Sequence, residues 1–294
     1  MNFFKKYETK TEGAIRFYDV KQPKTKVAVV LIFLACIILV VIALFPAFWL
    51  IMSSLKSIQE YAGTNQILPK NPDWGGWVRT WNALGFTKYY INSGIAVLGG
   101  VVCAVFFNGM LAYVLGILKP KGHKLIFALV MWSMLIPPTT SFVALFINIK
   151  KIGLTGSFIP LWLSMGANAY WVILFKQFFE ALPKDFLEAA RLDGCSSLQV
   201  FTRIILPLSK PIVVVVAIFA VTAAWSDFLM PFLLLNGSGK ETVMVRLYAF
   251  RTAIKSTDID VIRAVLYAII PPTVIFAVFQ KQIMEGVITG GIKG

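Results

Sequence analysis

Long apolar runs recur along the chain and determine its predicted architecture. The first, residues 27–52, contains no charged residue and is longer than the roughly 20 helical residues that cross a hydrocarbon core. It also exceeds the apolar region of about 7 to 15 residues in a secretory signal, so we expect an uncleaved anchor. Five further runs cover residues 92–118, 125–149, 158–175, 211–235 and 261–279. The pattern predicts an all-α polytopic membrane protein with six transmembrane helices.

The composition indicates that the bilayer is the solvent of this protein. Of its 294 residues 58% are apolar and 14% charged, whereas a soluble domain carries about a quarter charged residues. A formal net charge of +14 could suggest nucleic-acid binding, but Lys and Arg lie almost entirely between the apolar runs, as in membrane-protein loops. The single histidine, His123, excludes a His-rich metal site. We therefore expect no metal, no cofactor bound by this chain and no nucleic-acid partner.

The basic residues are divided unequally between alternate loops, which predicts the orientation. Segments 1–26, 119–124, 176–210 and 281–294 hold 17 of them in 81 residues, whereas 53–91, 149–157 and 236–260 hold 10 in 73 residues. The positive-inside rule then places both termini in the cytoplasm. We expect a basic N-terminal tail (1–26), a transmembrane domain (27–280) and a C-terminal tail (281–294), without internal repeats or linkers.

No nucleotide-binding motif accompanies the apolar runs. Residues 237–242 read GSGKET, but Leu234 stands where a phosphate-binding loop needs its first glycine, and Glu241 follows Lys240 in place of Ser or Thr. If ATP drives transport here, another polypeptide has to supply the ATPase.

Three polar residues inside the apolar runs are candidates for a translocation pathway. Asp227 is the only acid well inside an apolar run, and such a group is costly there unless it is paired or faces water. Asp227 and its neighbour Ser226 are therefore pathway candidates, with a packing hydrogen bond to another helix as the alternative. Asn108 poses the same choice, with packing favoured because an amide costs less to bury than a charge. A single acid cannot form an intramembrane aspartyl dyad.

The segment between the fourth and fifth runs, residues 182–207, predicts two short helices. Pro183 suits a first helical turn, and Asp185 and Glu188 favour the positive N-terminal end of that helix. Gly194 can end it in the left-handed conformation. Ser196 or Ser197 can cap a second helix, and Pro207 limits it.

One face of the first helix in the 182–207 loop is small and apolar, with Leu187, Ala190 and Gly194 at helical spacing. Small side chains allow another surface to come close. A DNA-binding helix-turn-helix has a similar outline, but apolar runs begin within a few residues on both sides. A plain solvated loop is the other alternative, and loops seldom keep an apolar helical face without a partner.

The spacing of these residues resembles a known signature. Glu188-Ala189-Ala190, Gly194, Ile204 and Leu206-Pro207 resemble the cytoplasmic signature loop of permease subunits from binding-protein-dependent ABC importers. Three features together resemble the carbohydrate-uptake branch of these permeases: the six runs, the sequence WSDF at 225–228 and the tail GVITGGIKG at 286–294. Ser226 stands at a position where members of that branch often have asparagine.

The resemblance implies an assembly and a role for several residues. It implies a bacterial inner-membrane permease that forms, with a second homologous permease, the pore for a sugar or oligosaccharide delivered by an extracytoplasmic solute-binding protein. Two ATPase subunits would bind ATP and Mg, and this chain would not be an enzyme. The residues implied in ATPase coupling are Glu188, Ala189, Ala190, Arg191, Asp193, Gly194, Leu206 and Pro207. The tail residues implied in ATPase contact are Gly290, Lys293 and Gly294.

Two other classes of function remain as alternatives. A secondary transporter or channel would need no ATPase, and would usually show internal repeats and several intramembrane charges, neither of which is clear here. A membrane-embedded enzyme would need a catalytic histidine or an acid pair. The sequence leaves open which solute is transported, with polyol, phosphodiester and glycerol-phosphate cargo possible within the branch.

Overall fold

The computed structural model describes residues 23–63, 66–183, 185–192, 194–253 and 256–291. Within these ranges the chain is helical and contains no β-strand, which confirms the all-α class. The chain forms two compact units, residues 1–72 and residues 73–294. Most of the basic N-terminal tail, residues 1–22, lies outside the described residues.

The first unit is dominated by one long apolar helix. Helix α1 (Pro23–Ser54) is 32 residues long, and from Val27 onward most of its side chains are exposed on all sides. A helix that is apolar all round requires an apolar solvent, and Lys26–Ser54 has the length and composition of a membrane span. Helix α2 (Ile58–Gly63) follows. The rings of Trp49 and Tyr61 pack 6.4 Å apart within this unit.

The second unit consists of helices that vary widely in length. The longer ones are α3 (Trp74–Leu84), α4 (Phe86–Tyr113), α5 (His123–Ser133), α6 (Phe142–Lys151), α8 (Ala169–Glu180), α12 (Lys210–Ser226), α14 (Val243–Arg251) and α15 (Asp258–Gly291). The shorter ones are α7 (Ile159–Met165), α9 (Asp185–Leu192), α10 (Ser197–Val200), α11 (Leu206–Leu208) and α13 (Leu229–Leu235). Single π-helical turns at Val114–Leu118 and Phe201–Ile205, and a 3₁₀ turn at Pro138–Ser141, lie between them.

The six predicted spans are not all continuous helices. Three helices in the described ranges are long and apolar enough to cross a membrane, or up to five if each of two sharply bent pairs is one span. The prediction is thus confirmed as several apolar membrane helices, but the number six is not. Helix α15 also continues through residue 280, where we predicted a separate tail, and ends at Gly291.

Breaks within the apolar runs have local causes that hydropathy does not report. In the run 125–149 the chain bends by 94° at Pro137 and Pro138, which lack the N–H groups that a helix needs and disfavour helix in the residue before them. In the run 158–175, α7 ends at Met165 and Asn168 caps α8 by accepting a hydrogen bond from the Trp171 N–H at 3.2 Å. Each break leaves backbone groups that need other partners.

Helix α4 lies at the centre of the second unit and packs against α7, α8 and α12. Small residues on one face make this possible, because they allow backbones to approach closely. The buried positions at a spacing of four are Ala96, Gly100, Ala104, Asn108 and Ala112. Large aromatic side chains from the other helices, including the fully buried Phe175 and Phe201, fill the space beside this face.

The loops of the second unit collect at its two ends in the alternation that the sequence predicts. At one end, Lys119 pairs with Glu180 at 3.2 Å. At the other end, Arg246 Nε donates to the Leu84 carbonyl at 3.1 Å, and Lys240 Nζ donates to the Gly156 carbonyl at 2.9 Å. Segments 119–124 and 176–210 therefore share one end, and segments 73–91, 149–157 and 236–260 share the other.

Candidate functional site

The first helix of the 182–207 loop ends as predicted at a left-handed glycine. Helix α9 carries Asp185 and Glu188 in its first turn, where carboxylates interact favourably with the helix dipole. Gly194 has a φ of 73°, and the Cys195 N–H closes the turn by donating to the Ala190 carbonyl at 3.0 Å. This closure satisfies one of the free carbonyl groups at the end of the helix.

The second helix of the loop is capped by Ser196. The Ser196 hydroxyl accepts from the Gln199 N–H at 3.4 Å, and the Gln199 side chain accepts from the Ser196 N–H at 2.8 Å, which forms a capping box. The helix runs on through the π-helical turn and past Pro207 to Leu208, and then turns by 86° into α12. It therefore ends one residue beyond the limit that we predicted from Pro207.

The small apolar face of α9 is turned toward the core of this chain. Ala190 is buried, and Leu187 and Cys195 pack against the same cluster as Phe201 and Tyr113. The sequence predicts that small side chains here let another surface come close, and the surface that covers Ala190 in this structure belongs to the same chain. The apolar face has its partner within the chain, because Ala190 and Leu187 belong to the core cluster and are shielded there from water.

The opposite side of the 182–207 loop is exposed. Glu188 and Pro207 are exposed, and Leu192 is 89% exposed. Leu206 is half-buried against the core cluster of the bundle. Asp193 and the side chains of Ala189 and Arg191 lie outside the described residues, as do Lys293 and Gly294. Gly290 lies in the last turns of α15.

An ion-paired cleft separates Glu188 from the ends of α4 and α8. Its volume is about 240 Å³, and its lining includes Lys119, Glu180, Leu187 and Glu188. The Glu180 carboxylate accepts ion pairs from Lys176 at 2.9 Å and Lys119 at 3.2 Å. Partial burial opposes ionisation of Glu180, but the hydrogen bonds and charges of the two lysines outweigh it and hold the pKa of Glu180 below its ordinary value.

The residue that anchors this cleft has an unusual backbone. Lys119 has a φ of 46°, the one positive value found for a non-glycine residue in the described ranges. It follows the π-helical turn Val114–Leu118, and its N–H donates to the Val114 carbonyl at 2.9 Å. A left-handed residue after a π-helical turn ends α4 abruptly, which aims Lys119 at Glu180.

Asp227 stands at a break between two helices instead of inside one. Helix α12 ends at Ser226 and α13 begins at Leu229. Asp227 follows the last residue of α12, where the backbone turns to an extended conformation. Ser226 is exposed and Asp227 is half-buried. The break therefore presents polar groups in the middle of an apolar run.

Asn108 has a packing role in this structure. It is fully buried. Its side-chain nitrogen donates to the carbonyls of Ala104 at 2.7 Å and Met165 at 2.9 Å, and its oxygen accepts from the Asn168 N–H at 2.8 Å. These bonds supply partners for the backbone at the break between α7 and α8, which is the packing role that the sequence favours.

Within the described part of the chain, His, Cys, Asp and Glu side chains form no group of three or more that could hold a metal ion. The polar side chains that converge beside the 182–207 loop bind backbone groups and one another. This arrangement suits contact with another protein and passage of a solute.

Comparison with known proteins identifies the family. The family model described as the binding-protein-dependent transport system inner membrane component matches residues 96–285. The chain belongs to this family. The matched region includes the 182–207 loop and the break at Asp227. This permease is therefore a subunit of an ABC importer, and ATP hydrolysis belongs to separate ATPase subunits. The alternative of a transporter or channel without an ATPase is not supported by this membership.

Relatives align with nearly the whole permease. It is 31% identical over 255 residues to the arabinooligosaccharides transport system permease protein AraQ of Bacillus subtilis, covering 85% of this chain and 91% of AraQ. It is 29% identical over 258 residues to the diacetylchitobiose uptake system permease protein NgcG of Streptomyces coelicolor, covering 86% of this chain and 85% of NgcG.

A solved structure shows the same fold. It is that of a bacterial ABC transporter involved in the import of the acidic polysaccharide alginate. The TM-score is 0.79 at 22% identity, and the match covers 88% of this permease and 98% of that chain.

Two groups of ion pairs in the permease could not be predicted from the sequence. Lys176 and Glu180 are four residues apart on a helix, a spacing that signals an ion pair, but Lys119 joins them from 57 residues earlier in the sequence. Arg263 pairs with Asp73 at 3.1 Å across 190 positions. No local pattern reports contacts of that separation.

Proposed function

We propose that this permease passes a sugar or oligosaccharide across the bacterial inner membrane. The observation that supports the proposal most is the alignment, over at least 85% of the chain, with AraQ and NgcG, whose names record transport of arabinooligosaccharides and uptake of diacetylchitobiose. An extracytoplasmic solute-binding protein delivers the cargo. A second, homologous permease completes the pore, and two ATPase subunits bind ATP and Mg.

We further propose six spans with both termini in the cytoplasm. The gathering of segments 119–124 and 176–210 at one end of the second unit supports the alternation of spans, and the excess of basic residues in those segments supports the orientation. In this arrangement the 182–207 loop and the cleft beside Glu180 face the cytoplasm.

The exposed side of the 182–207 loop is the proposed contact with an ATPase subunit. Glu188 supplies a charge and Leu192 an apolar contact, on a helix whose other face is fixed to the bundle by Leu187 and Ala190. A displacement of α9 is then transmitted to α4 and α12 through packed side chains. Arg191 and Asp193 are proposed to join this contact, as the family signature implies.

The C-terminal residues are a second proposed ATPase contact. Helix α15 runs on to Gly291, so Gly290 lies in a helix that continues beyond the last apolar run, and Lys293 and Gly294 follow it in the sequence. Deleting residues 290–294 should weaken solute-stimulated ATP hydrolysis in the reconstituted complex. Hydrolysis equal to that of the wild type would remove this contact from the proposal.

The pathway is proposed to run past the breaks in the spans. Irregular backbone at membrane depth is tolerated where it is buried in protein or lines water, and Ser226, Thr139 and Thr140 are exposed at such breaks. Asp227 is proposed to face the pore, since lipid exposure of a charge would cost on the order of 3 kcal/mol. Asp227→Asn keeps the shape and should lower transport; full activity would show that the charge is dispensable.

The test of cargo uses the complete importer. Its solute-binding protein is assayed by calorimetry against arabinotriose, diacetylchitobiose, sorbitol and glycerol 3-phosphate. The same solutes are then offered to proteoliposomes containing both permeases and the ATPases, with ATP or with a non-hydrolysable analogue. We expect ATP-dependent uptake of one of the two sugars. Uptake of glycerol 3-phosphate or sorbitol alone would contradict the proposal.

A further inference from the structure

Three aromatic rings gather beside the break between α12 and α13. The ring centroids of Phe228 and Phe232 are 5.3 Å apart in a stacked arrangement. Tyr248, on α14, lies 5.1 Å from Phe228 and 5.6 Å from Phe232. The two phenylalanines are half-buried, and Tyr248 is 47% exposed. The rings thus form a continuous aromatic surface, here called the aromatic platform, that is accessible from one side.

Polar groups border the aromatic platform directly. Ser226 and Asp227 precede Phe228 in the sequence, and Ser226 is exposed. Asp227 is half-buried. A carboxylate has about four acceptor positions, which can receive donors from a bound molecule. The surface therefore combines aromatic faces with hydrogen-bond acceptors.

Neighbouring residues hold this surface in place before any cargo arrives. The Trp225 indole is buried, donates to the Ala268 carbonyl at 2.9 Å and lies 5.4 Å from the Tyr90 ring. These contacts fasten the end of α12 to α15 and α4. Because a preformed site loses less conformational freedom on binding, it needs fewer contacts to bind a ligand.

The chemistry of the surface matches one class of ligand. A sugar ring has an apolar face of C–H groups and an edge of hydroxyl donors. The aromatic rings can pack against the C–H face of the sugar, and the carboxylate can accept hydrogen bonds from its hydroxyl groups. Binding sites for small molecules usually combine an apolar lining with a few polar groups in this way. Lipid chains would offer no hydrogen-bonding groups to Ser226 and Asp227, at the cost expected for polar groups in hydrocarbon.

We propose that Asp227, Phe228, Phe232 and Tyr248 form a subsite for one neutral sugar ring of the cargo. The inference rests on the proposed function, because it needs a sugar in the pore. It adds that this chain contacts the cargo itself, through the aromatic platform, and that the contact depends on the ring of Tyr248 and not on its hydroxyl.

The test measures sugar binding to the complete importer without its binding protein. The complex of both permeases and the ATPases is placed in lipid nanodiscs, and the Kd is measured for radiolabelled arabinotriose and diacetylchitobiose. Tyr248→Ala removes the ring, and Tyr248→Phe keeps it. Tyr170→Ala is the matched control, because Tyr170 is also 47% exposed and lies on α8 outside the aromatic platform.

We expect Tyr248→Ala to raise the Kd of the transported sugar about tenfold, Tyr248→Phe to stay within about twofold, and Tyr170→Ala to bind like the wild type. An unchanged Kd in Tyr248→Ala would overturn the subsite. So would a loss in Tyr248→Phe as large as in Tyr248→Ala, or an equal loss in Tyr170→Ala.

Two further outcomes separate this inference from the proposed function. If the wild-type complex takes up a sugar and Tyr248→Ala lowers only the thermal stability of the complex, the aromatic platform packs against the partner permease and the subsite is wrong while the cargo assignment stands. If the wild type transports only glycerol 3-phosphate or sorbitol, both fail together.

Discussion

The guanidinium of Arg263 lies directly against Gly76, so that a β-carbon at position 76 would overlap it. The Arg263 side chain is 5% exposed and pairs with Asp73 at 3.1 Å and with Asp260 at 3.4 Å. Asp73 also caps α3 by accepting the Gly76 N–H at 3.0 Å. A glycine on α3 thus makes room for the arginine that joins α3 to the start of α15.

The first prediction concerns Gly76→Ala. The new methyl group should displace the Arg263 guanidinium from Asp73 and lower the free energy of unfolding by roughly 1 to 3 kcal/mol. The thermal unfolding midpoint of the purified complex in detergent is the measurement.

Gly75→Ala is the control for that prediction. A β-carbon there would come within 2.9 Å of the Arg79 guanidinium, whose side chain is 69% exposed and can move, and would make an ordinary contact of 3.6 Å with Asp73 Oδ1. Replacing glycine by alanine inside a helix also stabilises that helix by about 1 kcal/mol. Equal midpoints for the two variants would show that the contact between Gly76 and Arg263 contributes nothing.

The second prediction concerns pH and Glu180. Because the pKa of Glu180 lies below its ordinary value of 4.5 in the folded chain, its ion pairs stabilise the fold fully above that pH. The contribution is lost as the pH falls through the lowered pKa. Melting temperatures measured from pH 7 down to about pH 3.5 should fall more steeply for the wild type than for Glu180→Gln. Parallel curves would mean that the pairs with Lys119 and Lys176 are not stabilising.

The third prediction concerns the turn at Gly194. Gly194→Val places a β-branched residue at a φ of 73°, which costs about 1 kcal/mol or more in the left-handed region. We expect a membrane protein that binds its ATPase weakly or hydrolyses ATP without uptake of solute.

Gly153→Val is the matched control for Gly194→Val. Gly153 has a φ of 72°, and like Gly194 it has open space around a new β-carbon, but it lies at the other end of the second unit. Uptake should survive Gly153→Val. If both variants lose uptake per ATP to the same degree, strain alone and not the 182–207 loop explains the effect.

The fourth prediction concerns the charge of Glu188. Its exposed position on α9 predicts an opposite charge on the ATPase surface, so Glu188→Lys should reduce coupled uptake strongly and Glu188→Gln should reduce it less. The measurement is the ratio of solute taken up to ATP hydrolysed in proteoliposomes. Normal ratios in both variants would remove Glu188 from the ATPase contact.

The fifth prediction concerns topology. In a background without Cys36, Cys103 and Cys195, single cysteines replace Lys121, Ser196 or Trp77 in intact cells. An impermeant thiol reagent added outside should label position 77 and not positions 121 or 196. The opposite pattern would reverse the orientation that we propose from the basic residues.

Local chemistry determined much of this protein from sequence alone. Apolar runs dictate membrane helices because only an apolar solvent tolerates them. Gly194 and Ser196 end and begin helices through contacts within a few residues, so the turn and the capping box of the 182–207 loop follow from their neighbours. The spacing of Glu188, Gly194 and Pro207 also indicated the family.

Tertiary structure decided which way each of these elements faces. The apolar side of α9 could have met another protein, but Ala190 is buried in the core cluster of its own chain. Asn108 could have lined a pore, but a backbone break beside it needed its amide. The aromatic platform and the pairing of Arg263 with Asp73 join positions far apart in sequence. Hydropathy reports only whether a segment prefers lipid to water, whereas contacts of this kind depend on which helices pack side by side.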